Sequence, residues 1–270
     1  MINSIESVPL RKGLDTLYKK YNRRRFVHPD PLEFLYEFPE SEREIVGIIA
    51  SSLAYGRVWS ILKAVEICLD RMDNTPKTFL LKKDATQIEK SFKDFKHRFT
   101  KGPEMAAFLI GLKKVLNTYG SLEALFNTFS NERPGQERTI KRLTNAVHKI
   151  LKLSGLEKTH LLPDPAKKSA CKRLFLFLRW MVRKDEVDPG GWSVIAPSEL
   201  VIPLDTHMFN ISKSLGFTQR KQANLSTALE ITSHFLKINP EDPIKYDFVL
   251  TRFGIRDELS RDDVRGLLIP

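Results

Sequence analysis

Cys171-Lys172-Arg173-Leu174-Phe175-Leu176-Phe177-Leu178-Arg179-Trp180-Met181-Val182-Arg183, followed by Leu200-Val201-Ile202-Pro203-Leu204-Asp205-Thr206-His207, is the stretch on which the fold turns. Cys171, Leu174, Phe175, Leu178, Met181 and Val182 recur at the three-and-four spacing of one buried helical face. At about 100° per residue, Lys172, Arg179 and Arg183 share a stripe on the opposite face, and Lys172 stands in the first turn. Leu200–Leu204 reads as an apolar extended run. Asp205 then stands where an N-cap belongs, ahead of a helix whose Met208, Ile211 and Leu215 share a face until Gly216 stops it. A lysine heads one helix and an aspartate caps the next.

A chain of 270 residues can bury a substantial core, as one large domain or as two packed lobes. Its sequence shows no internal repeat. Met1–Leu10 lacks a long apolar run, and no apolar run is long enough to cross a bilayer, so a soluble, cytoplasmic monomer is expected. Two cysteines, Cys68 and Cys171, each in a helical pattern, fit a reducing compartment. Lys plus Arg number 44 against 33 acids, and residues 138–184 hold 13 basic and 2 acidic residues, the entire net charge of +11. Such a concentration is what a polyanion-binding surface requires. No basic amphipathic helix stands apart from the core, which favours nucleic acid over membrane as the partner.

Elsewhere the periodicity predicts helices at 10–21, 32–36, 58–72, 105–117, 122–129, 138–153, 221–237 and 243–253. Ser41 with Glu44 forms a capping-box pattern opening another helix through Leu53. The lysine-rich segment 75–99 reads as a surface insert, 131–136 as a polar loop, and 184–193 as a Gly- and Pro-containing loop carrying Trp192. No convincing strand alternation precedes Asp205. An all-α class follows.

The lysine-headed helix, the apolar run and the L-D-T-H sequence together resemble the core of the helix-hairpin-helix DNA glycosylase superfamily, the endonuclease III-like fold. Asp30–Leu35 and Ile48–Val58 are similar to that family's first core helix and the loop after it, so the similarity spans most of the chain in order. Two departures stand out. The family's L-P-G-V-G-x-K hairpin is here Leu162-Pro163-Asp164-Pro165-Ala166-Lys167-Lys168, without its glycines, and the C-terminal four-cysteine cluster is absent, so no iron-sulfur cofactor is expected. The long spacing from Lys172 to Asp205 is closest to that of the archaeal 8-oxoguanine glycosylases, while the C-K-R-L-x-x-F-L-R-W-M-V-R run at 171–183 resembles that of a divergent bacterial branch.

The resemblance implies a two-lobed helical fold with the active site in a cleft: residues 1–39 joining the second lobe, 40–155 a helical barrel, and 156–270 the catalytic helices and the rest of the second lobe. It implies excision of a damaged base, with an oxidised purine as lead substrate, from double-stranded DNA, and cleavage at the abasic site through a lysine Schiff base. Asp205 takes the carboxylate role. Lys172 is the nucleophile by its spacing to Asp205; Lys168 is the alternative by its place in the L-P-x-x-x-x-K alignment. Lys167, Lys168, Arg173, Arg179, Arg57, Tyr55 and His207 are then DNA contacts, and Trp192 and Asp247 line the base pocket. A binding protein that keeps this fold without its chemistry is the alternative, and a helical scaffold the third reading.

Overall fold

Apolar residues at helical spacing build most of the molecule. The computed structural model describes residues 4–129 and 133–256. Among the described residues it contains thirteen α-helices and one two-stranded antiparallel ladder, so the all-α class is what the periodicity implied. The chain opens with α1 (Ser4–Tyr21), α2 (Phe34–Glu37), α3 (Glu40–Leu53) and α4 (Val58–Asp70). It continues through α5 (Pro76–Lys82), α6 (Ala85–Phe92), β1 (Lys96–His97), β2 (Thr100–Lys101), α7 (Gly102–Tyr119), α8 (Leu122–Asn127) and α9 (Gln136–Ser154). It closes with α10 (Lys172–Val182), α11 (Thr206–Ser214), α12 (Leu225–Ile238) and α13 (Asp247–Ile255). The polar loop at 131–136 lies partly outside the described residues.

Carboxylates from one helix satisfy the free backbone N–H groups at the start of another. Glu44 accepts from Leu122 N and Glu123 N at 2.9 Å each, at the head of α8, and from the Trp192 indole at 3.0 Å. The expected Ser41/Glu44 capping box is therefore not formed: α3 begins at Glu40 after Pro39 with no side-chain cap, because Glu44 is turned inward to a partner distant in sequence. Glu42 likewise receives Lys77 N and Thr78 N at the head of α5, and Glu199 receives Gly135 N together with Arg138 ahead of α9. Tight packing completes these joints. A Cβ on Gly111 of α7 would lie 2.0 Å from Ser154 Oγ of α9.

The segment 75–99 is not a surface insert. Phe79, Leu80, Ile88, Phe92 and Phe95 are buried in the common core, and Asp84 with Gln87 forms a reciprocal capping box on α6. The lysines that made this segment look peripheral lie half-exposed or exposed on two short amphipathic helices, at their C-terminal caps and on the strand that follows. The β1–β2 hairpin at its end, with His97 opposite Thr100, was not anticipated either.

A larger correction concerns α10. Every residue from Leu174 to Val182 is buried, and the helix packs against α3, where the Met181 methyl would come within 3.2 Å of a Cβ on Gly47. Arg179 and Arg183 therefore do not form a solvent-facing basic stripe. Arg179 bonds Asp188 at 3.1 Å and Asp247 at 2.6 Å; Arg183 bonds Asp188, Asp185 at 2.8 Å and Asp242 at 2.9 Å. Burying a guanidinium is tolerable only with compensating carboxylates, and the loop after α10 together with α13 supplies them. Arg142, which gives a hydrogen bond to Val194 O, is also internal. Part of the basic excess at 138–184 is thus neutralised inside the molecule.

Removing one partner from this network leaves an uncompensated buried charge. Asp188→Ala is expected to lower unfolding stability by about 3–5 kcal/mol in chemical denaturation. Breaking the exposed pair Arg23–Glu186 by Glu186→Gln is expected to change it by less than about 1 kcal/mol.

Candidate active site

The N-termini of α10 and α11 meet. Asp205 is the N-cap of α11: its Oδ1 accepts from Met208 N at 2.8 Å, as its position in sequence implied. Its other oxygen, Oδ2, lies 3.2 Å from Lys172 Nζ, the first residue of α10. The lysine side chain is 38% exposed and the aspartate 13%, so the amine is reachable from solvent while the carboxylate is largely covered. The amine that meets Asp205 is that of Lys172. Lys168 is exposed, and its carbonyl accepts from Leu225 N at 3.2 Å, tying the loop to α12.

The approach to Lys172 is not a short hairpin between two helices. Residues 155–171 form a loop with one 3-10 turn, Pro165–Lys167, headed by Asp164, whose side chain accepts from Ala166 N at 2.9 Å. Lys168 (φ 60°) and Cys171 (φ 44°) both adopt the left-handed region, which disfavours residues other than glycine and recurs at functional sites. Cys171 is buried beside Ser169 Oγ at 3.1 Å, and burial pushes its thiol pKa up, which makes it a packing residue and not a nucleophile.

The remaining expected contacts divide. Lys167 and Arg57 are exposed, as a phosphate contact requires. Arg173 is not: its guanidinium gives hydrogen bonds to the carbonyls of Ser52 and His160 and lies 4.9 Å from the centre of the Tyr55 ring. Burial lowers its pKa. Tyr55 in turn gives its hydroxyl to Thr100 Oγ1 at 2.8 Å, so both side chains brace the surface beside Lys172 and do not extend from it. Arg179 is enclosed as described. His207 lies against α13, where a Cβ on Gly254 would fall 2.2 Å from its Nδ1, so the imidazole fills the α11–α13 joint. Trp192 packs half-buried on Phe126 and Phe177 at the edge of the core, with its N–H engaged by Glu44.

Asp247 is the one pocket candidate that reaches the pair's surroundings, but from beneath. It is fully buried on α13, held by Arg179, and one of its oxygens has no hydrogen-bond partner. Burial pushes its pKa up to about 6; Arg179 opposes the rise, while the nearby carboxylates Asp205 and Asp188 add to it. Sequence reasoning missed the hairpin at 96–101, which Tyr55 fastens beside Arg173; its alternation of exposed Lys96, Arg98 and Phe99 with buried His97 and Thr100 was the available signal.

For Asp247 the folded pKa of about 6 lies above the unfolded value of about 3.9, so the native state binds more protons than the unfolded state between them. Its contribution to stability therefore falls as pH rises from about 4 to about 6. In urea titrations across that window, the stability of wild type relative to Asp247→Asn is expected to decline with rising pH. A flat difference would show that Asp247 stays ionised throughout.

No curated protein and no solved structure matches this chain. The profile of one family, described as Protein of unknown function (DUF2400), matches residues 30–256, from before α2 to the end of α13, and the chain belongs to that family.

Proposed function

We propose that the protein is a DNA glycosylase with abasic-site lyase activity, and that Lys172 and Asp205 carry its chemistry. The observation that supports this reading most is the 3.2 Å contact between a solvent-reachable primary amine and a largely covered carboxylate, at the meeting point of two helix N-termini. In this reading the helices of residues 40–155 form one lobe, the N-terminal and C-terminal helices form the other, and the pair faces the cleft between them. A damaged nucleotide, with an oxidised purine such as 8-oxoguanine as lead substrate, is extruded from the duplex to reach it.

Asp205 relays the proton of the lysine ammonium to the departing base, which leaves Nζ as a nucleophile and Asp205 again as a carboxylate. The amine attacks C1′ of the deoxyribose as the N-glycosidic bond breaks, and the departing base takes up that proton. Positive charge developing on the sugar is stabilised by the Asp205 carboxylate. The amine adduct opens the sugar to a Schiff base, loss of the C2′ proton breaks the C3′–O bond, and water returns free lysine. Lys167, Lys168 and Arg57 contact phosphates, which set position and affinity without reading sequence.

One observation favours the second reading, a DNA-binding protein without chemistry: the segment 162–168 contains a 3-10 turn at Pro165–Lys167 and has no glycine amides to offer a phosphate.

Incubation with an abasic-site or 8-oxoguanine duplex and borohydride is expected to link the protein covalently to DNA. Lys172→Gln is expected to abolish capture while leaving binding largely in place; capture lost only in Lys168→Gln would move the nucleophile there. Asp205→Asn is expected to slow base release by about 10²–10³-fold, the scale of one electrostatic stabiliser. No capture and no base release across a panel of single-lesion duplexes would leave the binding-only reading.

In equilibrium binding, affinity for duplex DNA is expected to fall steeply with salt, and Lys167→Gln to reduce the log–log slope by about 1. A lesion-bearing duplex is expected to bind more tightly than an intact one. Equal affinities would indicate a general DNA-binding protein.

A further inference from the structure

Phe99 is a large apolar side chain left 62% exposed, at the tip of the β1–β2 hairpin. Exposed phenylalanine is common enough singly to need no explanation, but this one is held still. His97 and Thr100, the residues flanking the tip, are both buried. The His97 ring nitrogen Nε2 lies 3.1 Å from the carbonyls of Leu53 and Tyr55, and the Tyr55 hydroxyl binds both His97 O at 3.0 Å and Thr100 Oγ1 at 2.8 Å. The Tyr55 and His97 rings stand 4.6 Å apart. Arg98 takes a left-handed conformation at φ 50°, and its side chain lies across Gly56, where a Cβ would come within 2.7 Å of Arg98 Cδ. Gly56, itself at φ 107°, is the residue that this crossing requires.

The tip is also placed with respect to the candidate site. Phe99 pairs with the exposed ring of His160 at 5.2 Å and 33° between planes, a tilted arrangement. The carbonyl of His160 accepts from Arg173, the residue next to Lys172, whose guanidinium also covers Tyr55. Hairpin, His160 and the head of α10 are therefore one braced unit. Lys96, Arg98 and Lys101 lie on the hairpin with no acidic residue among positions 96–101, and these three supply the cations; the cavity of about 440 Å³ beside His160 is of mixed charge, lined by Lys158, Lys167 and Arg173 and by Glu104, Glu157 and Asp164.

A rigid aromatic face bordered by cations is complementary to one class of ligand, a nucleobase on a phosphate backbone: the ring takes the flat apolar surface and the cations take the charge. We propose that Phe99, with His160, stacks on a base of DNA that has lost its neighbour or partner, and so selects DNA with an unpaired position. This rests on the reading of the protein as DNA-binding and deepens it by assigning recognition of the unstacked base to the hairpin. Phe99 is a positioning residue and takes no part in bond breaking.

The test measures the affinity of the full-length protein for a duplex with one abasic site and for the same duplex fully paired, as a function of salt, in wild type, Phe99→Ala and Phe99→Trp. Phe99→Ala is expected to weaken binding to the abasic duplex by roughly tenfold or more, as for one lost base stack, and to leave the paired duplex and the salt slope unchanged. Phe99→Trp, which keeps an aromatic face, is expected to retain the preference. A preference that survives in Phe99→Ala, equal weakening on both duplexes, or no preference in wild type overturns the assignment. Borohydride capture on the same samples separates the two ideas. Capture in wild type with an unchanged preference in Phe99→Ala removes only the stacking role, whereas a preference lost in Phe99→Ala without capture in wild type supports stacking and removes the lyase.

Discussion

Two arginines on a buried helix constrain the rest of this structure. Arg179 and Arg183 point away from the apolar face of α10 and yet lie inside the protein, so each must find carboxylates that water would otherwise replace. Asp188 serves both, Asp185 and Asp242 complete the shell of Arg183, and Asp247 brings α13 to Arg179. The loop that carries these acids is itself held from the N-terminal side, where Tyr18 of α1 gives its hydroxyl to Asp185 at 2.8 Å and Tyr36 of α2 gives its own to Val187 O. α13 is tied again by Arg252 to Asp30. Segments far apart in sequence converge on α10 because its charges demand partners there.

That convergence has a consequence for the site. With its body enclosed on all sides, α10 presents only its N-terminal turn toward solvent, and Lys172 occupies that turn. Asp205 is fixed independently, by capping α11, and α11 packs against α13 through His207 and Gly254. The amine and the carboxylate thus meet as the ends of two separately anchored helices, an arrangement that holds geometry better than loop residues would. Asp247 links the layers: it bonds Arg179, and the nearby Asp205 carboxylate adds to the rise of its pKa.

The hairpin extends the same logic outward. Arg173 is spent on backbone carbonyls and on the Tyr55 ring, which removes it from any surface role but braces the β1–β2 tip against the head of α10. Arg98 at the hairpin tip and Cys171 at the head of α10 both take positive φ, and such conformations persist only where surrounding contacts impose them. Local strain and an exposed aromatic ring occur together beside the candidate pair.

The sequence alone determined the helical class, the apolar face of α10 and the capping role of Asp205, because each follows from spacing of a few residues and from backbone hydrogen bonding. It also marked Lys172 and Asp205 as partners, although only the fold brings them to 3.2 Å. What tertiary structure decided was the environment of each face. Arg179 and Arg183 sit at the same helical spacing whether they meet solvent phosphate or buried aspartates, and Glu44 has the same local pattern whether it caps its own helix or α8. Phe79 and Phe92 lay in a lysine-rich stretch whose charge masked two core helices. Periodicity records which residues share a face; what that face meets depends on contacts between residues far apart in the chain, such as Arg179 with Asp247, and local spacing carries no record of them.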